Sequence, residues 1–145
     1  MAIYSKPAKL AIRILIQVAG HEEEGQLCAV RDVAIETGIS EPTVAKILQM
    51  LAKDGILESR KGPGGGFRLA KPAQEISLLR IVTAIEGGTP LVDCAGGFEE
   101  CSELSPCPLH SRWKGVKAAV IEFLEGTSLD DLLKAARRVR QVERV

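Results

Sequence analysis

The stretch from Gly38 to Phe67 reads GISEPTVAKILQMLAKDGILESRKGPGGGF. Ser40 suits a helix N-cap, and Pro42 falls in the first turn, where its missing N–H costs nothing. Val44, Ile47, Leu48 and Leu51 then repeat at i, i+3, i+4, i+7, the spacing of one helical face, which predicts a helix from Glu41 to about Lys53. Gly55 ends it in C-cap style. Ile56–Arg60 and Phe67–Ala70 read as short strands, joined by Lys61-Gly62-Pro63-Gly64-Gly65-Gly66. Upstream, Val30 to Thr37 reads as a short helix with Val33 and Ala34 facing inward. Helix, short turn, helix and hairpin in that order make a winged helix-turn-helix.

The flanks extend this plan to a mainly α fold with a two-stranded wing and a long C-terminal dimerisation helix. Ala8 to Gly20 reads as an amphipathic helix with Leu10, Ile14 and Val18 on one stripe, closed by a solvated Glu22-Glu23-Glu24-Gly25 turn. Ser77 caps a helix carrying Leu78, Ile81, Val82 and Ile85, and Gly87-Gly88 stops it. A further helix from Leu109 to Glu125 bears Trp113, Val116, Val120, Phe123 and Leu124 on one stripe. Such a stripe is too apolar to leave in water, and a two-fold partner presenting the same face would bury it. Thr127 or Ser128, with Asp130 or Asp131 three residues on, looks like a capping pair for a last helix. The expected division is residues 1–88 for DNA, 89–108 for a ligand-binding loop and 109–145 for dimerisation.

The 145 residues fit one domain with an appended helix. Few residues are aromatic (Trp113, Tyr4 and three Phe), so the core must be aliphatic. The 19 basic and 19 acidic residues cancel, but unevenly. Residues 31–80 hold eight basic and six acidic groups, whereas 81–111 hold none and five. A strong basic field is absent, so DNA affinity must rest on geometry and dimerisation as well as charge. Lys6, Lys9 and Arg13 interrupt the apolar N-terminal stretch, so neither a signal peptide nor a membrane span is read, and a cytoplasmic chain is expected.

A reader helix enters the major groove through its N-terminal residues. Its candidates are Ser40, Glu41, Thr43, Lys46 and Gln49, where Gln can read adenine and Ser and Thr can bond to bases or phosphates. Beside the wing, Arg60, Lys61 and Arg68 flank a turn whose Gly64 and Gly65 let backbone approach phosphate. A solvated helix in a protein-interaction module is the plainer alternative for the reader helix.

Cys94, Cys101, Cys107 and His110 form C-x6-C-x5-C-x2-H in a stretch without Lys or Arg. Thiolates this dense suit soft metals. Zinc sites usually pair ligands two to four residues apart, and the wider spacing is more natural for an iron–sulfur cluster. Zinc on the same four residues, unligated thiols, and a different fourth ligand with His110 merely on the surface all stay open. The remaining Cys28 reads as a buried small hydrophobe, His21 as solvated, Trp113 as a packing or interface anchor, and the arginines at 137, 138, 140 and 144 as one solvated face.

Gly62-Pro63-Gly64-Gly65-Gly66-Phe67 and the three-cysteine loop together resemble the Rrf-type family of winged helix-turn-helix transcription regulators, over about residues 3–135. Cys107-x2-His110-x2-Trp113 is most similar to its IscR-like iron–sulfur branch. That resemblance implies a 2Fe–2S cluster, rather than 4Fe–4S, held by Cys94, Cys101, Cys107 and His110. In nitric-oxide sensors of the family a carboxylate from the partner subunit can be a ligand; the matching position is Lys9, which favours His110. The branch carries a Glu in its reader helix where this chain has Ala45, and five residues between its first cysteines where this chain has six. The expected function is a homodimeric regulator whose affinity for a pseudo-palindromic double-stranded operator follows the cluster, sensing redox, nitric oxide or iron status, with no membrane role. The alternatives are a zinc-stabilised or thiol-based regulator, or a small iron–sulfur redox protein.

Overall fold

A computed structural model of the chain describes residues 3–88 and 108–143. Cys94, Cys101 and Cys107 therefore lie outside the described residues. The element order is α1 (Lys6–Glu23), α2 (Val30–Thr37), α3 (Glu41–Lys53), β1 (Leu57–Arg60), β2 (Gly66–Leu69), a 3-10 turn (Ala73–Glu75), α4 (Leu78–Glu86), α5 (His110–Gly126) and α6 (Leu129–Glu143).

Helix α1 is the spine. Ser5 caps it, its hydroxyl accepting from Ala8 N (3.3 Å). Ala8, Ala11, Ile14, Leu15, Val18 and Ala19 are buried, while Leu10 of the expected stripe is only half-buried. The alanines leave room for neighbours to pack close to the backbone. The helix also runs on through Glu22 and Glu23 rather than stopping in a solvated turn. The reason is partnership: Glu22 Oε2 accepts from Leu69 N at the end of β2 (3.1 Å).

Helices α2 and α3 follow the sequence pattern closely. Val33 and Ala34 are the buried residues of α2, and Val44, Ile47, Leu48 and Leu51 those of α3. The strands pair antiparallel in the register Leu57↔Leu69, Glu58↔Arg68, Ser59↔Phe67, Arg60↔Gly66. A third segment joins their edge, because Cys28 N donates to Phe67 O (2.9 Å) and Phe67 N to Cys28 O (2.8 Å). Cys28 is fully buried, and desolvation pushes its thiol up to about 12. It stays protonated and inert, as a packing residue should.

One apolar core lies under the helix-turn-helix and includes Leu129 and Leu133 of α6. A smaller one joins Ala8, Leu78, Val82 and Leu124, so α5 is anchored to α1 and α4. A bridge between Ser77 and Ser128 stitches the start of α4 to the α5–α6 junction, with Leu78 N on Thr127 O and Leu129 N on Ile76 O (both 2.8 Å). Ser128 and Asp131 form a reciprocal capping box: Ser128 N donates to Asp131 Oδ2 (2.9 Å) and Asp131 N to Ser128 Oγ (3.1 Å).

His21 differs from its expected solvated state. Its side chain is one-fifth exposed, and Nε2 lies 2.8 Å from Glu36 Oε1 on α2. The Gln17 amide, with its nitrogen toward Glu36, donates to Glu36 Oε2 (3.1 Å) and accepts from Arg140 Nη2 of α6 (3.0 Å). The hydrogen bond to Glu36 raises the His21 pKa above its ordinary value. A raised folded-state value means the contribution is fully present below the unfolded value, about 6.5, and is lost as pH rises through the folded one. Glu36→Gln should therefore lower the melting temperature most at mildly acidic pH, with the gap to the parent chain narrowing as pH rises above about 6.5. Melts across that range would refute this pairing if the gap were constant.

Candidate functional site

The N-terminal end of α3 is built as a helix start. Ser40 takes the N-cap backbone conformation (φ −60°, ψ 144°), but its hydroxyl does not cap the helix. It donates to Thr43 Oγ1 instead (2.8 Å). The two hydroxyls form one polar edge on the exposed end of the helix. Lys46 and Gln49 follow on the outward face, opposite buried Ile47 and Leu48. Ser40, Glu41, Lys46 and Gln49 are exposed and Thr43 half-buried, and the row Ser40, Thr43, Lys46, Gln49 winds about 60° around the helix with each three-residue step.

The wing supplies the second surface. Arg60, Lys61 and Arg68 line one recess with Leu27, Glu58 and Ser59. Arg68 is not free: its Nε and Nη2 each lie 3.1 Å from Glu58 Oε2 across the strand pair. Both side chains are about half exposed, so this pair is weak and can exchange for phosphate. The glycines have roles that the sequence reading missed. A Cβ on Gly65 would stand 2.2 Å from Arg60 O and 2.8 Å from Gly62 O. A Cβ on Gly66 would stand 2.5 Å from Cys28 O. These two are required by the turn and by wing docking. Gly64, exposed with φ +73°, faces open space, as does Gly62 with φ +91°.

His110 opens α5 after a turn at Pro108-Leu109, one residue later than the expected start at Leu109. It is half-buried. Among the described residues no group of three or more His, Cys, Asp and Glu is placed to hold a metal. The cysteines of the motif fall outside that set.

The apolar stripe of α5 divides. Leu124 is fully buried within the protomer against Ala8, Leu78 and Val82, with Val120 half-buried at the edge of that cluster. Val116 and Phe123 are 53% and 50% exposed. Leu109, which the expected stripe did not include, is 49% exposed. Leu109, Trp113, Val116, Val120 and Phe123 follow one another at 4-3-4-3 spacing, the a/d seam of a coiled coil. The repeat was present in the sequence, but only the burial of Leu124 separates the seam from the face packed inward. The Trp113 indole Nε1 is buried with no hydrogen-bond partner among the described residues.

Residues 4–135 match the Rrf2 family, described as an iron-dependent transcriptional regulator. The chain belongs to the Rrf2 family. Similar Rrf2 relatives include the IscR transcriptional regulator of Pectobacterium atrosepticum, 30% identical over 133 residues that cover 92% of this chain and 79% of that protein. Protein aau3 of Rhizobium meliloti is 32% identical over 136 residues, covering 93% and 87%. Among solved structures, CymR, the global cysteine regulator of B. subtilis, superposes with a TM-score of 0.78 at 24% identity, covering 93% and 98%. IscR of T. potens gives 0.72 at 24% identity, covering 91% and 86%. This Rrf2 chain is accordingly a DNA-binding transcription regulator of winged-helix fold, and not an enzyme. Among the described residues no helix is long and apolar enough to cross a membrane.

Proposed function

We propose that this regulator is a cytoplasmic homodimer that binds a pseudo-palindromic operator and whose affinity follows an iron–sulfur cluster held by Cys94, Cys101, Cys107 and His110. The observation that carries the reading is the place of His110. It is the first residue of α5, and the same helix and its N-cap carry exposed Leu109, Val116 and Phe123 with half-buried Trp113 and Val120 between them. A ligand and a dimer interface would share one rigid element. The donor set fits the group: three thiolates and an imidazole are suited to iron, and a helix N-terminus favours the negative charge that such a set gathers. When bound, the group would supply redox-responsive ligation; 2Fe–2S is the form favoured over 4Fe–4S.

The chain's own residues do the rest. Residues 89–107 connect the end of α4 to the start of α5, so holding them biases how α5 sits against α4. The seam of α5 would meet its two-fold copy and fix the separation of two α3 helices. Half-sites about 34 Å apart, one helical turn of DNA, would then be read together. Ser40, Thr43, Lys46 and Gln49 would contact the groove, and Arg60, Lys61, Gly64, Gly65 and Arg68 the backbone beside the wing. Ligation can change affinity only by its differential interaction with the two arrangements.

Anaerobic purification, followed by iron and sulfide assay and absorbance spectra, tests the ligand set. Any one of Cys94, Cys101 or Cys107 changed to Ala should abolish stable incorporation, and His110→Ala should weaken it with an altered spectrum. A His110→Ala protein spectroscopically identical to the parent removes His110 from the set. A colourless protein whose operator binding responds to thiol oxidants replaces the cluster with a thiol switch, and stoichiometric zinc replaces it with a structural metal.

The DNA surface has its own test. Lys61→Ala should weaken binding to all sequences alike and reduce the salt slope by about one. Combined Lys46→Ala and Lys61→Ala leaving both affinity and slope unchanged would remove this surface from the interface.

A further inference from the structure

We propose that Arg13 and Arg80 are positioning residues for DNA reading, each gripping the carbonyl end of one helix of the helix-turn-helix pair. Arg13, on α1, donates from Nη2 to the carbonyl of Thr37, the last residue of α2 (2.6 Å). Arg80, on α4, donates from Nη2 to the carbonyl of Asp54, the C-cap of α3 (2.6 Å), and its Nη1 pairs with the Asp54 carboxylate. The last carbonyls of a helix lack intrahelical partners and carry the negative end of its dipole. The planar guanidinium of Arg80 meets the Asp54 carbonyl and carboxylate at once in a rigid fork, a geometry that a rotating ammonium does not fix.

The two grips come from the two helices that flank the pair in sequence, α1 before it and α4 after it. They fix α2 and α3 at the ends remote from their N-termini. Helix α3 has 13 residues, so Arg80 holds it about 20 Å from the polar edge of Ser40 and Thr43. A small rotation permitted at Asp54 would be carried along a rigid helix to the groove. At Thr37 the turn is tied further, since Thr37 Oγ1 donates to Val33 O (2.6 Å) and accepts from Ile39 N (3.3 Å). Arg13 thus holds the connection from which α3 departs.

The other end of α4 is tied as well. Glu86 lies in the last turn of α4, where the helix dipole disfavours a carboxylate. It is held there by Ser5 N, the N-cap of α1, which donates to its Oε1 (2.5 Å). Helices α1, α2, α3 and α4 therefore close into one frame, through Arg13, the turn after Thr37, Arg80 and Glu86, in which Arg80 is the link to the end of the reader. The frame needs only that α3 enters DNA, so it stands apart from the metal reading.

The test starts with an operator selected from random duplex DNA by the parent protein. Affinity for it, and for a scrambled duplex, is measured by fluorescence anisotropy across a range of salt. Arg13→Ala and Arg80→Ala should each lose about five- to tenfold on the operator. Affinity for the scrambled duplex, the salt slope and the melting curve should stay close to the parent's. Arg80→Lys, which keeps the charge but loses the fork, should recover part of the loss, and it carries the test if the Ala variant does not fold. Unchanged operator affinity overturns the proposal. So does an equal loss on both duplexes with a shallower salt slope, which would make these arginines phosphate contacts. A parent protein that selects no sequence leaves nothing to position, and overturns it too.

Discussion

Val116→Asp combined with Phe123→Asp is expected to leave the protein folded and monomeric at micromolar concentration. Both residues are about half exposed in the protomer, so neither carboxylate has to enter the protomer's own core. In a two-fold seam each would face its copy. An unpaired carboxylate taken out of water costs several kcal/mol, and two per subunit make four in the interface. A loss of even about 4 kcal/mol raises the dimer dissociation constant roughly a thousandfold. A monomer presents one reader, so operator affinity should collapse toward its nonspecific level. Sedimentation equilibrium and circular dichroism check this together. A dimer that survives both substitutions places the interface elsewhere. Leu124→Asp is the contrasting variant: it puts the charge in the cluster of Ala8, Leu78 and Val82, and should unfold the protomer rather than split a dimer.

That contrast marks where the sequence stops being informative. Trp113, Val116, Val120, Phe123 and Leu124 all look alike as an apolar stripe. A helix of this kind has two apolar directions, one toward its own protomer and one outward. Only the position of α4 assigns Leu124 to the first and leaves Leu109, Val116 and Phe123 to the second. The helix-turn-helix was legible for the opposite reason. In α3 the burial of Val44, Ile47, Leu48 and Leu51 is set by one local period, and Gly38, Pro42 and Gly55 mark its ends within the same stretch. Polar partners across the chain were not legible. Glu22 meets Leu69, His21 meets Glu36, and Arg80 meets Asp54, each across a separation that no local pattern encodes. The ligand set Cys94, Cys101, Cys107 and His110 rests on residue chemistry and spacing, with His110 the only member whose place in the fold is described.

Gly66→Ala is expected to be among the most damaging single-methyl additions in the chain, because of backbone contact rather than core packing. Gly66 has φ +155°, outside the usual range for L side chains, and its Cβ would stand 2.5 Å from Cys28 O and 2.8 Å from Cys28 C. The nearest atoms all belong to the Cys28–Ala29 backbone, which leaves no flexible side chain to yield. Either β2 separates from Cys28, losing the pair of bonds between Cys28 and Phe67, or the wing turn rebuilds. A strained backbone position and two broken hydrogen bonds together put the loss at about 2–5 kcal/mol. Gly64→Ala meets open space but also carries a positive φ, so it should cost only about 1 kcal/mol. Thermal melts of the two variants should therefore separate widely. DNA binding should separate with them, since Arg60 and Arg68 lie on the strands that Cys28 anchors and Lys61 directly follows Arg60. Equal melting temperatures for the two variants would show that docking to Cys28 does not hold the wing, and that Gly66 serves the turn alone.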